Sequence, residues 1–319
     1  MSNKRREIEH YVAPLDETPL QAVDSAVTDT APSSLWMDAW RNLRKKPLFI
    51  ASALLILLII LVSLFPGLFS PTDPTALDAC NLANSLQPSS PGHIFGFNRQ
   101  GCDIYARVIY GTRASVSVGI LATLAVVLVG GIIGALAGYY GGWLDSILAR
   151  LGDIFFALPL VLGALVLYQV PFFQDNRGVF SVATILAVFG WPNIARITRG
   201  AIIEVKNNDF ITAATSLGVS RFSALLKHAL PNALAPIIVV ATVSLGVFIV
   251  AEATLSFLGI GLPGSVMAWG QDIANAQSTL RTRPEILIYP AAALFVTVLS
   301  FIMLGDAVRD ALDPKARKR

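Results

Sequence analysis

The chain has 319 residues, of which 54% are hydrophobic and 14% are charged, whereas an ordinary soluble domain carries about 25% charged residues. Its mean hydropathy of +0.63 therefore favours a membrane protein over a soluble globular one. The net charge of +3 does not indicate a nucleic-acid partner, because membrane topology and anionic lipid headgroups account for the cationic ends.

The N-terminal part divides into a polar tail and an amphipathic helix. Residues 1–33 mix acidic and basic side chains with little apolar periodicity, which predicts a disordered cytoplasmic tail. From residue 34 onward, apolar side chains recur at helical spacing at Leu35, Trp36, Trp40 and Leu43. This pattern predicts a helix that lies along the inner membrane face before the chain enters the bilayer at Pro47.

Six stretches are long and apolar enough to cross a bilayer as helices. They are 48–69, 114–139, 147–168, 179–198, 233–253 and 286–305. An even number of crossings places both termini on one side of the membrane. With an inside N-terminus, 18 of the 24 Lys and Arg residues fall on the cytoplasmic side, which is the asymmetry expected of that orientation. The sequence thus predicts an all-α membrane protein with six transmembrane helices and both termini inside.

Both cysteines, Cys80 and Cys102, lie in the loop between the first and second spans, which the charge asymmetry places outside. That compartment permits disulfides. We expect the two to be bonded, which would stabilise the loop by about 3 kcal/mol on the chain-entropy estimate. Two free thiols are the alternative.

Small residues and prolines mark how the spans pack and bend. Gly130, Gly134 and Gly138 repeat at every fourth position of the second span and predict a face on which another helix packs closely. Pro159, Pro192, Pro236 and Pro290 each fall within or near a span, where they favour kinks.

The ionisable residues argue against several classes of membrane protein. Carboxylates and histidines avoid the middle of every span, where a proton- or sodium-driven carrier usually needs a coupling site, although a site built from backbone carbonyls would leave no trace. The sequence has no metalloprotease HExxH and no GxxxxGK[ST] phosphate loop. We expect neither catalytic residues nor a metal or cofactor site, and any ATP used would be bound by another subunit.

A polar insert at 209–232 separates the fourth and fifth spans. Asp209 predicts an N-cap, Phe210 and the residues up to Leu217 supply two helical turns, and Gly218 predicts the stop. Ser220 then predicts the cap of a second short helix that runs to Pro231.

This insert resembles the motif of the membrane subunits of ATP-binding-cassette importers, which begins Glu-Ala-Ala and continues to a Gly and a Leu-Pro pair. The residues that match its spacing are Ala213, Ala214, Gly218, His228, Leu230, Pro231 and Asn232, while Thr212 replaces the Glu. The chain is similar over nearly all of 40–317 to the C-type permease subunit of dipeptide and oligopeptide importers. Further stretches carry this likeness, namely 138–143, 251–259, 269–270 and 304–314.

The resemblance implies the type I importer permease fold in a bacterial inner membrane. It implies an amphipathic elbow helix, first span and extracytoplasmic loop over 34–112, a five-helix transmembrane domain over 113–308 with a coupling helix at about 209–217, and a cytoplasmic tail over 309–319. The residues implied to couple to the ATPases are Asp209, Thr212, Ala213, Ala214, Leu217, Gly218, His228, Leu230 and Pro231.

The implied partners are a paralogous permease, two ATPase chains or domains that hold ATP and Mg²⁺, an extracytoplasmic peptide-binding protein, and membrane lipid. Because Thr212 carries no charge, we expect the Glu-dependent part of the coupling to come mainly from the paralogous permease. A same-family permease for nickel, glutathione or another small solute is an alternative, and a standalone secondary carrier is a further one.

Overall fold

The computed structural model describes residues 35–76 and 78–312, so the expected tail at 1–33 and most of that at 309–319 lie outside the described residues. Within these ranges the chain is helical and no β-strand forms. The helices are α1 (Leu35–Leu43), α2 (Pro47–Leu64), α3 (Pro66–Phe69), α4 (Ile104–Tyr140), α5 (Gly142–Ala157), α6 (Leu160–Tyr168), α7 (Pro171–Asp175), α8 (Val179–Lys206), α9 (Asp209–Ser216), α10 (Arg221–Ala224), α11 (Leu230–Phe257), α12 (Trp269–Ala276) and α13 (Glu285–Leu312).

Five helical runs are long and apolar enough to cross a membrane: α2, α4, α8, the run Arg221–Phe257 and α13. The stretch predicted as the third span, 147–168, is instead two helices, α5 and α6, which meet at an angle of 89°. The break has a local cause, because Pro159 lacks an N–H and the preceding Leu158 is extended, with φ −92° and ψ 120°. Counted as one crossing, the pair brings the total among the described residues to the predicted six.

The other three prolines do not end their helices. Pro192 lies inside α8, Pro236 inside α11 and Pro290 inside α13. Each removes one backbone donor while the packed neighbours hold the helix together. Of these four prolines, Pro159 alone coincides with a break in its helix.

Helices α4 and α8 form the central pair of the bundle, and the glycine ridge lies between them. A Cβ atom added at Gly130 would come within 2.6 Å of the Trp191 carbonyl oxygen, and one at Gly138 within 2.7 Å of the Arg199 carbonyl oxygen. Gly134, between them, lies directly against the backbone of Ala195. The two backbones approach this closely because no side chain stands between them, which is how helices associate in lipid.

A second group of helices packs around the extracytoplasmic half of α4. Trp269 of α12 is buried there, and its indole Nε1–H donates to the Val108 carbonyl oxygen at 2.9 Å. At the other end of the bundle, Leu43 of α1 packs against Ala307 and Ala311 of α13. The amphipathic helix α1 therefore lies against the cytoplasmic end of α13, the last span, which extends to Leu312.

The extracytoplasmic loop between α3 and α4 is fastened both to itself and to the bundle. Cys80 and Cys102 form a disulfide. Arg99 Nη1 donates to Ser278 Oγ at 3.3 Å, and Arg283 Nη1 donates to the Leu86 carbonyl oxygen at 2.5 Å. The loop therefore covers the segment that joins α12 to α13.

We expect mass spectrometry of unreduced peptides to recover the segments around Cys80 and Cys102 as one linked species. Because the bond closes a loop with a sequence separation of 22, serine at both positions should lower the free energy of unfolding by about 3 kcal/mol. Recovery of both cysteines as free thiols from the native membrane protein would contradict this.

Candidate functional site

Helix α9 lies on the cytoplasmic side between the last turn of α8 and the start of α10. Its N-cap is Asn208, with φ −80° and ψ 148°, and no side chain caps it. The prediction that Asp209 is the N-cap was therefore wrong by one residue, and Thr212 lies one position further into the helix than expected. Asp209 instead occupies the first turn, where its negative charge suits the positive end of the helix dipole.

The end of α9 is a Schellman turn. The Gly218 N–H donates to the Thr215 carbonyl at 3.1 Å, and the Val219 N–H donates to the Ala214 carbonyl at 3.1 Å. Gly218 has φ +87°, a left-handed conformation that glycine adopts without steric cost. The turn directs the chain away from α9 and into the next helix, as the sequence predicts.

The segment after the turn differs from its prediction. Ser220 Oγ accepts from the Ser223 N–H at 3.3 Å and caps α10, but this helix does not end at Pro231. It passes through a π-helical turn, Leu225–Ala229, into α11, so one helical run extends over Arg221–Phe257. Proline has no backbone N–H to donate, and the wider π turn just before Pro231 lets the helix continue without that hydrogen bond.

Ile211 of the polar insert and Lys206 at the end of α8 tie the insert to the cytoplasmic ends of the spans. Ile211 of α9 is 4% exposed and packs with Tyr139 of α4, Ile202 of α8 and Leu225 of the π turn. The Lys206 ammonium donates to the Tyr139 carbonyl oxygen at the end of α4. A displacement of α9 would therefore move the cytoplasmic ends of α4, α8 and the 221–257 helix together.

The opposite face of the insert carries apolar side chains that nothing in the described chain covers. Leu217 is 86% exposed, Phe222 57% and Phe210 45%. Asp209, Thr212, Ala213 and Gly218 are exposed as well, whereas Ala214, His228 and Leu230 are half-buried. Exposed apolar side chains on a segment outside the membrane spans favour contact with another protein.

Two carboxylates lie largely inside the bundle: Glu252 of α11 and Asp272 of α12, whose side chain is 11% exposed. Glu252 is 0% exposed and accepts a hydrogen bond from Ser256 Oγ at 2.8 Å. Asp272 of α12 was missed. Its Oδ1 accepts from Arg107 Nε at 2.8 Å, and burial raises the pKa of its carboxyl while the Arg107 guanidinium opposes that shift.

Neither carboxylate belongs to the cytoplasmic insert. The Arg107–Asp272 pair ties α4 to α12 across 165 residues of sequence, and Glu252 lies within α11. No local signal marks Asp272, because its partner is remote in the chain. Among the described residues, no group of three or more His, Cys, Asp or Glu side chains could hold a metal ion.

Comparison with known proteins places this architecture in a family. The family described as "Binding-protein-dependent transport system inner membrane component" matches residues 130–318, and the "N-terminal TM domain of oligopeptide transport permease C" matches residues 34–88. One chain of a solved structure of the MetNI methionine ABC transporter in an inward-facing conformation shares the fold, with a TM-score of 0.55 and 19% identity. That match covers 65% of this chain and 96% of the other.

Curated relatives match almost end to end. The oligopeptide transport system permease protein OppC of Bacillus subtilis is 36% identical over 285 residues, covering 89% of this chain and 91% of that protein. The glutathione transport system permease protein GsiD of Escherichia coli O157:H7 is 36% identical over 303 residues, covering 93% and 97%. The chain therefore belongs to the family of inner-membrane components of binding-protein-dependent transport systems, the multi-pass permease subunits of ABC importers.

Proposed function

We propose that the chain forms half of the translocation pathway of an ATP-driven peptide importer. Its partners are a paralogous permease, two ATPase chains or domains and an extracytoplasmic peptide-binding protein, all within or beside a lipid bilayer. The chain itself catalyses no reaction. ATP and Mg²⁺ are held by the ATPase partners.

The observation that carries this proposal is the form of the cytoplasmic insert. Helix α9 presents exposed apolar side chains, with Leu217 86% exposed, while Ile211 on its other face is buried against three spans. A partner that grips the exposed face can therefore transmit movement to the membrane helices as a rigid body. On this proposal Asp209, Thr212, Ala213, Ala214, Leu217 and Gly218 carry the contact, and His228, Leu230 and Pro231 form the junction with the fifth crossing.

The relatives support peptides as the cargo. One is a permease of an oligopeptide transport system and another of a glutathione transport system, and glutathione is itself a small peptide. Glutathione, or another small solute carried by the same family, is therefore the second candidate. The binding protein that delivers the cargo would decide between the two.

Reconstitution tests the proposal directly. The complex should copurify with ATPase subunits, and proteoliposomes that contain it should take up oligopeptide only when ATP and the binding protein are both supplied. Transport by the purified chain alone would instead support a standalone carrier. Uptake of glutathione with no uptake of longer peptides would favour the second candidate.

A substitution at Gly218 tests whether the paralogous permease contributes more to ATPase coupling than this chain does. An L-residue in its left-handed conformation costs about 1–2 kcal/mol, and a Cβ atom there would meet nothing within 4 Å, so Gly218→Ala strains the turn without a clash. We expect this variant to lower peptide-stimulated ATPase activity less than alanine at the equivalent glycine of the paralogous permease. Equal losses would show that coupling is shared evenly.

A further inference from the structure

A groove of about 610 Å³ runs beside α9 on the cytoplasmic side. It is lined by Tyr139 and Tyr140 at the end of α4, by Ile211 and Thr212 of α9, and by Gly218. Gly218, which lines the groove, is bonded directly to Leu217, whose side chain is 86% exposed. A protein that covers Leu217 would therefore cover the groove as well.

The charges that line this groove are all positive. They are Lys206, at the end of α8, and Arg221, at the start of α10. Lys206 uses one N–H to reach the Tyr139 carbonyl oxygen and lies 5.6 Å from the centre of the Tyr139 ring. Neither cation forms an ion pair with a carboxylate in the described part of the chain.

The nearby acidic residues do not neutralise the groove. Glu204 and Asp209 are close in sequence, but neither lines it. The remaining polar groups are hydroxyls, and two of these are already engaged. Thr215 Oγ1 donates back to the Thr212 carbonyl oxygen at 2.9 Å, and Ser220 Oγ accepts from the Ser223 N–H. Two unneutralised cations therefore face the same space.

We propose that this groove receives an acidic side chain of the ATPase partner, held between Arg221 and Lys206. This inference rests on the proposed function, because it assumes that an ATPase docks on α9. A carboxylate fits for two reasons: the guanidinium of Arg221 can bind it in two-pronged fashion, and a cationic partner would be repelled. Thr212, which also lines the groove, is uncharged, so the charge inside the groove comes from Lys206 and Arg221 alone.

Charge reversal at Arg221 tests the inference in the assembled system. The permease pair is placed in nanodiscs of neutral lipid, so that lipid anions cannot fill the groove, and the affinity for ATPase subunits is measured at several salt concentrations. Arg221→Glu should weaken binding about 10-fold at low salt, and by less at high salt where charges are screened. Arg221 is exposed, so the variant should fold normally.

Two further variants make the test specific. Lys227→Glu makes the same reversal from positive to negative charge at an exposed site that does not line the groove, and it should bind ATPase as the wild type does. Arg221→Lys keeps the charge and adds an amine that a carbodiimide can join directly to a carboxylate. Mass spectrometry of that crosslink should identify an Asp or Glu of the ATPase.

Three results would overturn the inference. They are unchanged binding in Arg221→Glu, an equal loss in Lys227→Glu, and the absence of a crosslink while the ATPase is bound to Arg221→Lys. ATP-dependent peptide uptake by the wild-type complex is measured in parallel. If uptake is present and any of these results is found, the groove assignment fails while the proposed function stands.

Discussion

Replacing Gly134 by leucine is expected to destabilise the packing of α4 against α8 strongly. A Cβ atom there would press on the Ala195 backbone and lie 2.8 Å from Thr198 Cβ. Backbone cannot move aside as a flexible side chain can, so the helices must separate. Overpacking of this kind costs about 3 kcal/mol. The measurement is the melting temperature of the purified protein, which should fall clearly.

Gly131 provides the matched control. It lies in the same helix, and a Cβ atom added there would meet nothing within 4 Å. Gly131→Leu should therefore melt at or slightly above the wild-type temperature, because leucine favours a helix over glycine by about 0.8 kcal/mol. Equal losses in the two variants would show that the α4–α8 contact does not depend on the glycine ridge.

Replacing Leu217 by aspartate is expected to uncouple transport without unfolding the protein. The side chain is 86% exposed, so the isolated permease should keep its melting temperature. If α9 docks into the ATPase, however, an unpaired carboxylate would be buried in an apolar contact, which proteins tolerate poorly. We expect peptide-stimulated ATPase activity to fall at least about 10-fold, as for a central interface residue.

Leu217→Met is the control, because it changes the side chain but keeps it apolar. Methionine has a similar volume and adapts to uneven surfaces, so this variant should keep most of the coupled activity. The proposed contact would be refuted by full ATPase stimulation and peptide uptake in Leu217→Asp. A lower melting temperature in Leu217→Asp would instead point to a structural role for the side chain.

Much of this fold could be predicted because its determinants are local. Apolar runs of about 20 residues define the crossings whatever packs beside them, and the distribution of Lys and Arg sets the orientation. The turn after α9 is equally local, because Gly218 can adopt φ +87° where other residues would be strained. Pro159 likewise indicated a kink, although not an angle of 89°.

The predictions that were wrong depended on how neighbouring elements compete for the same backbone. Asn208 and Asp209 are both good cap residues, and the sequence could not decide that the helix starts after Asn208. Pro231 is typical of a helix end, yet the helix continues past it. A π turn at Leu225–Ala229 allows the helix to proceed without the proline hydrogen bond, while the surrounding spans hold the two halves in line. Packing against the neighbouring helices decides both where α9 begins and whether the helix continues past Pro231.

The sequence by itself therefore determined the class, the number and direction of the crossings and the position of the cytoplasmic insert. The tertiary structure alone decided which charged groups meet: Arg107 with Asp272 across 165 residues, and Lys206 with Arg221 around an open groove. The physical reason is that hydropathy and turn preferences act over a few neighbouring residues, whereas the pairing of charges depends on helices that only packing brings together.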